Sequence, residues 1–227
     1  LMVTAHGTSL RMLDRTRALG LTVVEATCPL VRVAHRAAAT LLRAGYHVVI
    51  VGQRDHVEVR GLTGDLDCFD VVLEDADVFA LEEHARFGVV AQTTQAAPKV
   101  RHLVDLIRQR FPQSDVRFVD TVCKPTKDRQ SAAVEMACRA DVVIVVGGRA
   151  SNNTRELVQT CTRYCARVYH VESDADLRRE WFATAQIVGL TAGTSTPDEI
   201  IDRVEARIRQ IDDQIRALPE GAATRAG

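Results

Sequence analysis

Aromatic residues are scarce in this chain. They make up 4% of its 227 residues, with one Trp, three Tyr and six Phe. A core built on large rings is therefore excluded, and the apolar load, 46% of the sequence, falls mainly on Ala, Val, Leu and Ile. Small branched side chains of this kind suit the tight layers of an α/β protein. A dominant charge sign is also missing: 29 Lys and Arg stand against 30 Asp and Glu, for a formal net charge of −1. That balance provides no broad basic surface for nucleic acid or for an anionic membrane. Long apolar runs are absent too. The stretch at residues 142–146 is among the longest, far short of the ~20 residues that a bilayer span needs. The opening LMVTAH has no basic stretch ahead of a long apolar one, so a cytoplasmic protein is expected. No Cys-x-x-Cys pair occurs among the six cysteines, Cys28, Cys68, Cys123, Cys138, Cys161 and Cys165. Without a secretion signal they read as cytosolic thiols or metal ligands, not as a disulfide framework.

What the sequence does contain is alternation. β-Branched runs predict strands at residues 21–27, 47–51, 115–122, 142–146, 167–171 and 186–191, with further short strands in DVVLED and FGVVAQ. Between them, helical spacing predicts helices over 32–45, 97–111, 125–139, 154–166 and 197–216. In the second of these, Val100, Leu103, Val104 and Ile107 share one face. Strands alternating with helices imply parallel sheets with right-handed crossovers.

The pattern also repeats. Gly52 stands 24 residues after Cys28, and Gly147 stands 24 after Cys123. At the offset of 95 residues that relates Cys28 to Cys123, His56 matches Ser151 and Glu58 matches Asn153. Each unit runs from a cysteine through helix, strand and polar loop to a last strand with a hydroxyl-rich turn: VVAQTTQ at 89–95 and GLTAGTST at 189–196. The opening MVTAHGTS resembles such a closing turn. The expectation is a pseudo-threefold arrangement of small α/β domains with mostly parallel sheets, the first one incomplete. Residues 1–28 would be the closing end of the first domain, 29–121 the second, 122–215 the third and 216–227 a frayed tail. The cysteine and first loop of the first domain would lie upstream.

Ligands in open α/β sheets sit outside the carboxyl ends of the strands. The polar sets His6/Thr8/Ser9, His56/Glu58, Thr93/Thr94, Ser151/Asn152/Asn153 and Thr194/Ser195 all follow predicted strands. Converging around a threefold axis, they would offer two histidines, one carboxylate and many neutral donors, with Arg54, Lys124 and Arg149 near in sequence. Small donors and helix N-termini suit a phosphate or diphosphate. Cys28 and Cys123 hold equivalent places, and a third such thiolate would complete an iron–sulfur site with one iron open to substrate. The same serines and threonines would serve equally as helix caps, and either cysteine alone as a buried thiol. Cys68, Cys138, Cys161 and Cys165 read as structural. His35, His47, His84, His102 and His170 read as solvated or structural, and Trp181 as a packing residue beside the solvated run DLRREW.

Seven segments, AHGTS, EATCPLV, GQRDHVEVRG, AQTTQ, DTVCKPTKDRQ, GGRASNNTREL and TAGTSTPDEI, occur in order between about residues 2 and 210. Together they resemble the 4-hydroxy-3-methylbut-2-enyl diphosphate reductase (LytB) family. The resemblance implies three α/β domains around a [4Fe-4S] cluster with three cysteine ligands. It implies reductive removal of the allylic hydroxyl of a prenyl diphosphate substrate, giving isopentenyl and dimethylallyl diphosphates. It also implies an electron donor such as ferredoxin or flavodoxin. By position, Cys28 and Cys123 match two cluster ligands, and His6 and His56 match diphosphate-contacting histidines. Glu58 matches the proton-relaying glutamate, Thr93 the threonine at the substrate hydroxyl, and Thr126 a threonine near the cluster. Ser151, Asn152, Asn153 and Ser195 fall where the family holds the diphosphate. Three positions depart from its pattern: Val57 stands where Pro is usual, Pro125 where Ala is usual and Asn152 where Ser is usual. The family's first cluster cysteine has no counterpart in this sequence. A second function class fits the same residues: a cluster-free diphosphate-binding relative without redox chemistry.

Overall fold

Apolar runs of two kinds decide the architecture. Runs of four or five β-branched residues are too short to complete a helical face, but they fill a strand covered on both sides. Longer stretches with apolar residues three and four apart bury one side of a helix. The computed structural model describes residues 1–217, so residues 218–227 of the expected tail lie outside the described residues. The chain divides into two units, Leu1–Lys127 and Asp128–Gly227.

The first unit begins with β1 (Met2–Val3), α1 (Leu10–Ala18), β2 (Val24–Glu25), α2 (Pro29–Arg43) and β3 (His47–Val51). It continues with α3 (Val57–Thr63), β4 (Phe69–Val72), α4 (Asp75–Phe79), β5 (Arg86–Ala91), α5 (Ala97–Arg110) and β6 (Asp115–Phe118). Helix α6 (Lys124–Ala137) leads into β7 (Val142–Val146), α7 (Asn152–Thr162), β8 (Val168–Val171), β9 (Val188–Ala192) and α8 (Asp198–Arg216). Among the described residues the strands form sheets of order β1-β2, β4-β3-β5-β6 and β8-β7-β9. Every pairing is parallel.

The period of two along β3 and β5 divides the first unit's core. Val48, Ile50 and Val90 point to one face, against Ala34, Ala38 and Leu41 of α2. Val49, Val51 and Val89 point to the other, against Val100, Leu103, Val104 and Ile107 of α5. The second unit follows the same scheme. Val142, Ile144 and Val146 meet Val204 and Ile211 of α8, while Val143 and Val145 meet Ala133, Ala137, Leu157 and Cys161. Glycine recurs where the helix after each cysteine crosses the sheet. A Cβ at Gly88 in β5 would lie 2.9 Å from the Leu41 Cβ of α2, and one at Gly189 in β9 would lie 2.8 Å from Met136 of α6.

Elements α1, α3 and α4 go beyond the expected alternation. Ser9 caps α1 by accepting from the Met12 N–H, and α3 and α4 span only seven and five residues. The run expected as a solvated helical face forms 3-10 turns at Asp174–Asp176 and Arg179–Trp181. Trp181 stacks on Tyr169 at 4.0 Å between ring centroids, a packing role. Leu157 is fully buried, so Leu157→Ala is expected to destabilise the second unit by about 2–5 kcal/mol, read as a lower urea midpoint with an unchanged slope.

Candidate active site at the carboxyl ends of the strands

The two cysteines hold the same structural position. Strands β1 and β2 are short, yet their ladder runs on: Ala26 N–H donates to the Val3 carbonyl at 2.9 Å and Cys28 N–H to the Ala5 carbonyl at 3.0 Å. Strands β5 and β6 extend in the same way. Val119 N–H donates to the Val89 carbonyl at 2.9 Å, and Cys123 N–H to the Thr93 carbonyl at 3.0 Å. Each cysteine then opens a helix, its carbonyl accepting from Arg32 or Lys127 at 3.1 Å. Pro29 and Pro125 fall in the first turns of those helices, where a missing N–H is tolerated. The Cys123 Sγ lies 3.0 Å from the hydroxyl of buried Thr126.

The repeat equivalence holds in the loops as well. His56 is the N-cap of α3 and Ser151 the N-cap of α7. The His56 Nδ1 accepts from the Glu58 N–H at 3.2 Å, which leaves the ring proton on Nε2. His6 meets the His56 ring edge-on at 5.5 Å.

Glu58, expected in a polar loop, instead lies in the first turn of α3 and is only 1% exposed. Its Oε1 accepts from the Thr93 N–H at 2.7 Å and its Oε2 from the Thr93 hydroxyl at 3.0 Å. Burial pushes the carboxyl above its ordinary 4.5, against the pull of those two hydrogen bonds. The sequence places Glu58 and Thr93 35 residues apart. The parallel pairing of β3 with β5 brings their following turns together. One chain of contacts thus runs from His6 through His56, Glu58, Thr93 and Cys123 to Thr126. Cys28 joins it through Ala5, the neighbour of His6.

In the second unit, Ser151 accepts from the Thr154 N–H at 3.4 Å. Asn152 and Asn153 are buried in the first turn of α7, and the Asn153 Nδ2 is buried without a hydrogen-bond partner. A buried donor left over at a helix N-terminus is where an anion would be held. Ser195 is exposed in the turn after β9, the strand paired to β7. Glycine is needed nearby: Gly147 has φ +150°, and a side chain at Gly147 or Gly193 would strike Thr154.

The sequence reading passed over the amides of AQTTQ. Gln92 and Gln95 are fully buried, and the Gln92 Oε1 accepts from the Gln53 N–H at 3.0 Å and from the Gln95 Nε2 at 3.1 Å. They stiffen the two turns that carry Glu58 and Thr93. The signal available was a pair of glutamines closing a strand with no charge to solvate. A cavity of about 600 Å³ bounded by α1, α2 and α3 takes in Thr8 of the expected polar sets but none of Cys28, His6, His56, Glu58, Thr93 and Cys123. Of the nearby cations, Arg54 donates to the Val71 carbonyl and Arg149 faces Glu172 at 3.5 Å.

The thiols do not by themselves fit a cubane cluster. Such a cluster takes up to four thiolates, and only Cys28 and Cys123 occupy the repeated position. Among the described residues no group of three or more His, Cys, Asp or Glu is placed to hold a metal ion. Buried Cys161 is pushed up to about 11 by desolvation and by neighbouring Cys165, which removes it as a ready thiolate.

The LytB protein family model matches residues 1–209. The 4-hydroxy-3-methylbut-2-enyl diphosphate reductase of Anaeromyxobacter sp. (strain K) is 37% identical over 210 residues, covering 92% of this chain and 75% of that protein. The enzyme of the same name from Aquifex aeolicus (strain VF5) is 37% identical over 214 residues, covering 92% of this chain and 73% of its own. This chain thus spans about three quarters of the length of these relatives. A solved structure of (E)-4-hydroxy-3-methyl-but-2-enyl diphosphate reductase is 37% identical with a TM-score of 0.61, over 92% of this chain and 75% of that one. The structure of the corresponding reductase from Plasmodium falciparum is 26% identical with a TM-score of 0.85, over 91% of this chain and 66% of its own.

The raised Glu58 carboxyl makes a stability prediction. Its contribution is fully present below the ordinary value of 4.5 and is lost as pH rises through the higher folded value. Glu58→Gln, which keeps an acceptor for the Thr93 N–H, is therefore expected to gain stability relative to wild type as pH rises from 4 towards 7. Urea midpoints across that range check it, and a constant difference would contradict the burial effect.

Proposed function

This chain belongs to the LytB family, and on that footing we propose that it serves the reaction named for its relatives. In that reaction 4-hydroxy-3-methylbut-2-enyl diphosphate is reduced to isopentenyl and dimethylallyl diphosphates, at the end of the non-mevalonate pathway. The allylic C–O bond breaks, two electrons and two protons enter, and water leaves. A ferredoxin or flavodoxin in the cytoplasm is the proposed electron source.

The observation that carries this reading is the buried Glu58–Thr93 pair at the end of a parallel ladder whose next rung is Cys123. Burial favours the protonated form of the Glu58 carboxyl, and the Thr93 hydroxyl against it can relay a proton between that carboxyl and a substrate oxygen. His56 presents Nε2–H as a donor for phosphate oxygen, with His6 beside it. In the second unit, phosphate binding is assigned to Ser151, Asn152, Asn153 and Ser195, supported by the leftover Asn153 donor at the α7 N-terminus. Cys28 and Cys123 are assigned as two thiolates toward a [4Fe-4S] cluster, with Thr126 against the second. Such a cluster would supply the electrons and a Lewis-acidic iron. Two thiolates do not complete its donor set, and the roles above rest on protein side chains alone.

The departures from the family pattern at Pro125 and Asn152 keep one second reading, a diphosphate-binding relative without a cluster. Anaerobic purification separates the two. Brown protein with about four irons per molecule and turnover under a low-potential reductant supports the reductase. Colourless protein that still binds the diphosphate supports the second reading. In the active enzyme Glu58→Gln is expected to lower kcat by about 10²–10⁴-fold with KM moved little. Asn153→Ala is expected to raise KM with kcat nearly unchanged, because phosphate is gripped equally in ground and transition states.

A further inference from the structure

The amino ends of β3, β4 and β5 gather a second set of reactive side chains. Glu58 and Thr93 follow the carboxyl ends of β3 and β5, so a five-residue strand, about 16 Å, separates this set from them. His47 is the first residue of β3, Cys68 immediately precedes β4, Asp70 is the second residue of β4, and His84 lies just before β5. The Cys68 Sγ lies 3.6 Å from the His47 Nδ1. On its other side the His47 Nε2 lies 2.8 Å from the Asp70 Oδ2. A carboxylate can only accept, so the proton of neutral His47 sits on Nε2, and Nδ1 turns its lone pair towards the thiol.

The ring is held in that orientation. His84 stacks on it at 3.8 Å with planes 6° apart, and Phe87 meets it edge-on at 6.0 Å. The His47 side chain is 9% exposed, whereas Cys68 itself is open to solvent. Neighbouring Asp67 has its charge paired with Arg11 at 2.8 Å. A thiol, a base that can take its proton, and a carboxylate that orients the base together make an activated nucleophile.

We propose that Cys68, served by His47 and Asp70, is a reactive thiol that exchanges with low-molecular-weight disulfides, independently of the diphosphate chemistry. The Cys68 proton passes to the His47 Nδ1, and the thiolate attacks one sulfur of the disulfide. A new S–S bond forms as the old one breaks. The departing thiolate takes the proton back from His47 and leaves as a thiol. Cys68 is oxidised to a mixed disulfide and the released sulfur is reduced.

Cys138 provides the internal control, since it is equally a free, exposed cysteine and makes no hydrogen bond to a histidine among the described residues. With the intact chain under limiting iodoacetamide, peptide mass spectrometry is expected to show Cys68 labelling at least about tenfold faster than Cys138. His47→Gln is expected to bring the Cys68 rate down to that of Cys138 while leaving the latter unchanged. Asp70→Asn is expected to lower the Cys68 rate severalfold in the same way. Glutathione disulfide is expected to add one glutathione at Cys68 in wild type, and far more slowly in His47→Gln. A variant whose first unit failed to fold would reveal itself by a lowered urea midpoint and by faster labelling of half-buried Cys123 in the same unit. Equal wild-type rates at Cys68 and Cys138, or a Cys68 rate unmoved in a folded His47→Gln, would overturn the proposal.

Discussion

The site in the first unit depends on one buried carboxyl and the residue that meets it with two donors. Glu58 would be costly to enclose in an apolar layer if its oxygens had no partners. Thr93 supplies both a backbone and a side-chain bond, and the turn bearing Thr93 is itself fixed by the ladder rung to Cys123. The buried Gln92 amide ties that turn to Gln53 after β3. Remove this arrangement, and the loops after β3 and β5 lose the contact that sets acid, hydroxyl and thiol in one row.

The two lobes use one plan with different side chains. The helix after each cysteine crosses the sheet over a glycine, Gly88 or Gly189, because a Cβ there would collide with it. The helix that follows the central strand is capped by the residue at the repeated offset, His56 or Ser151. Close packing at the glycines and capping at the loops place the functional positions before their chemistry is chosen.

Much of this was legible because periodicity and punctuation agreed. The runs at 47–51 and 142–146 are bounded by glycine and form strands over those bounds. Cys28 and Cys123 were matched by counting residues, and their rungs coincide. What escaped was short or long-range. Helices α3 and α4 have too few residues for a period to register. Strand β6 ends at Phe118, before the predicted 122, although its hydrogen bonding to the neighbouring chain resumes at Cys123. The burial of Glu58 could not be read from a polar-looking loop, because it is produced by Thr93 across a strand pairing. The contact of Cys68 with His47 escaped for the same reason: 21 residues separate them, and only the β3–β4 pairing makes them neighbours.

Divergence of the paired loops also divides the chemistry. Burial moves the Glu58 carboxyl; Ser151, Asn152 and Asn153, in the matching loop, carry no ionisable group. Acidity in the medium therefore acts on the loop after β3, whereas Ser151, Asn152 and Asn153 after β7 offer neutral dipoles whatever the acidity. Two loops at the same place in one plan thus differ in whether a proton can change their charge, without a change in the scaffold beneath either.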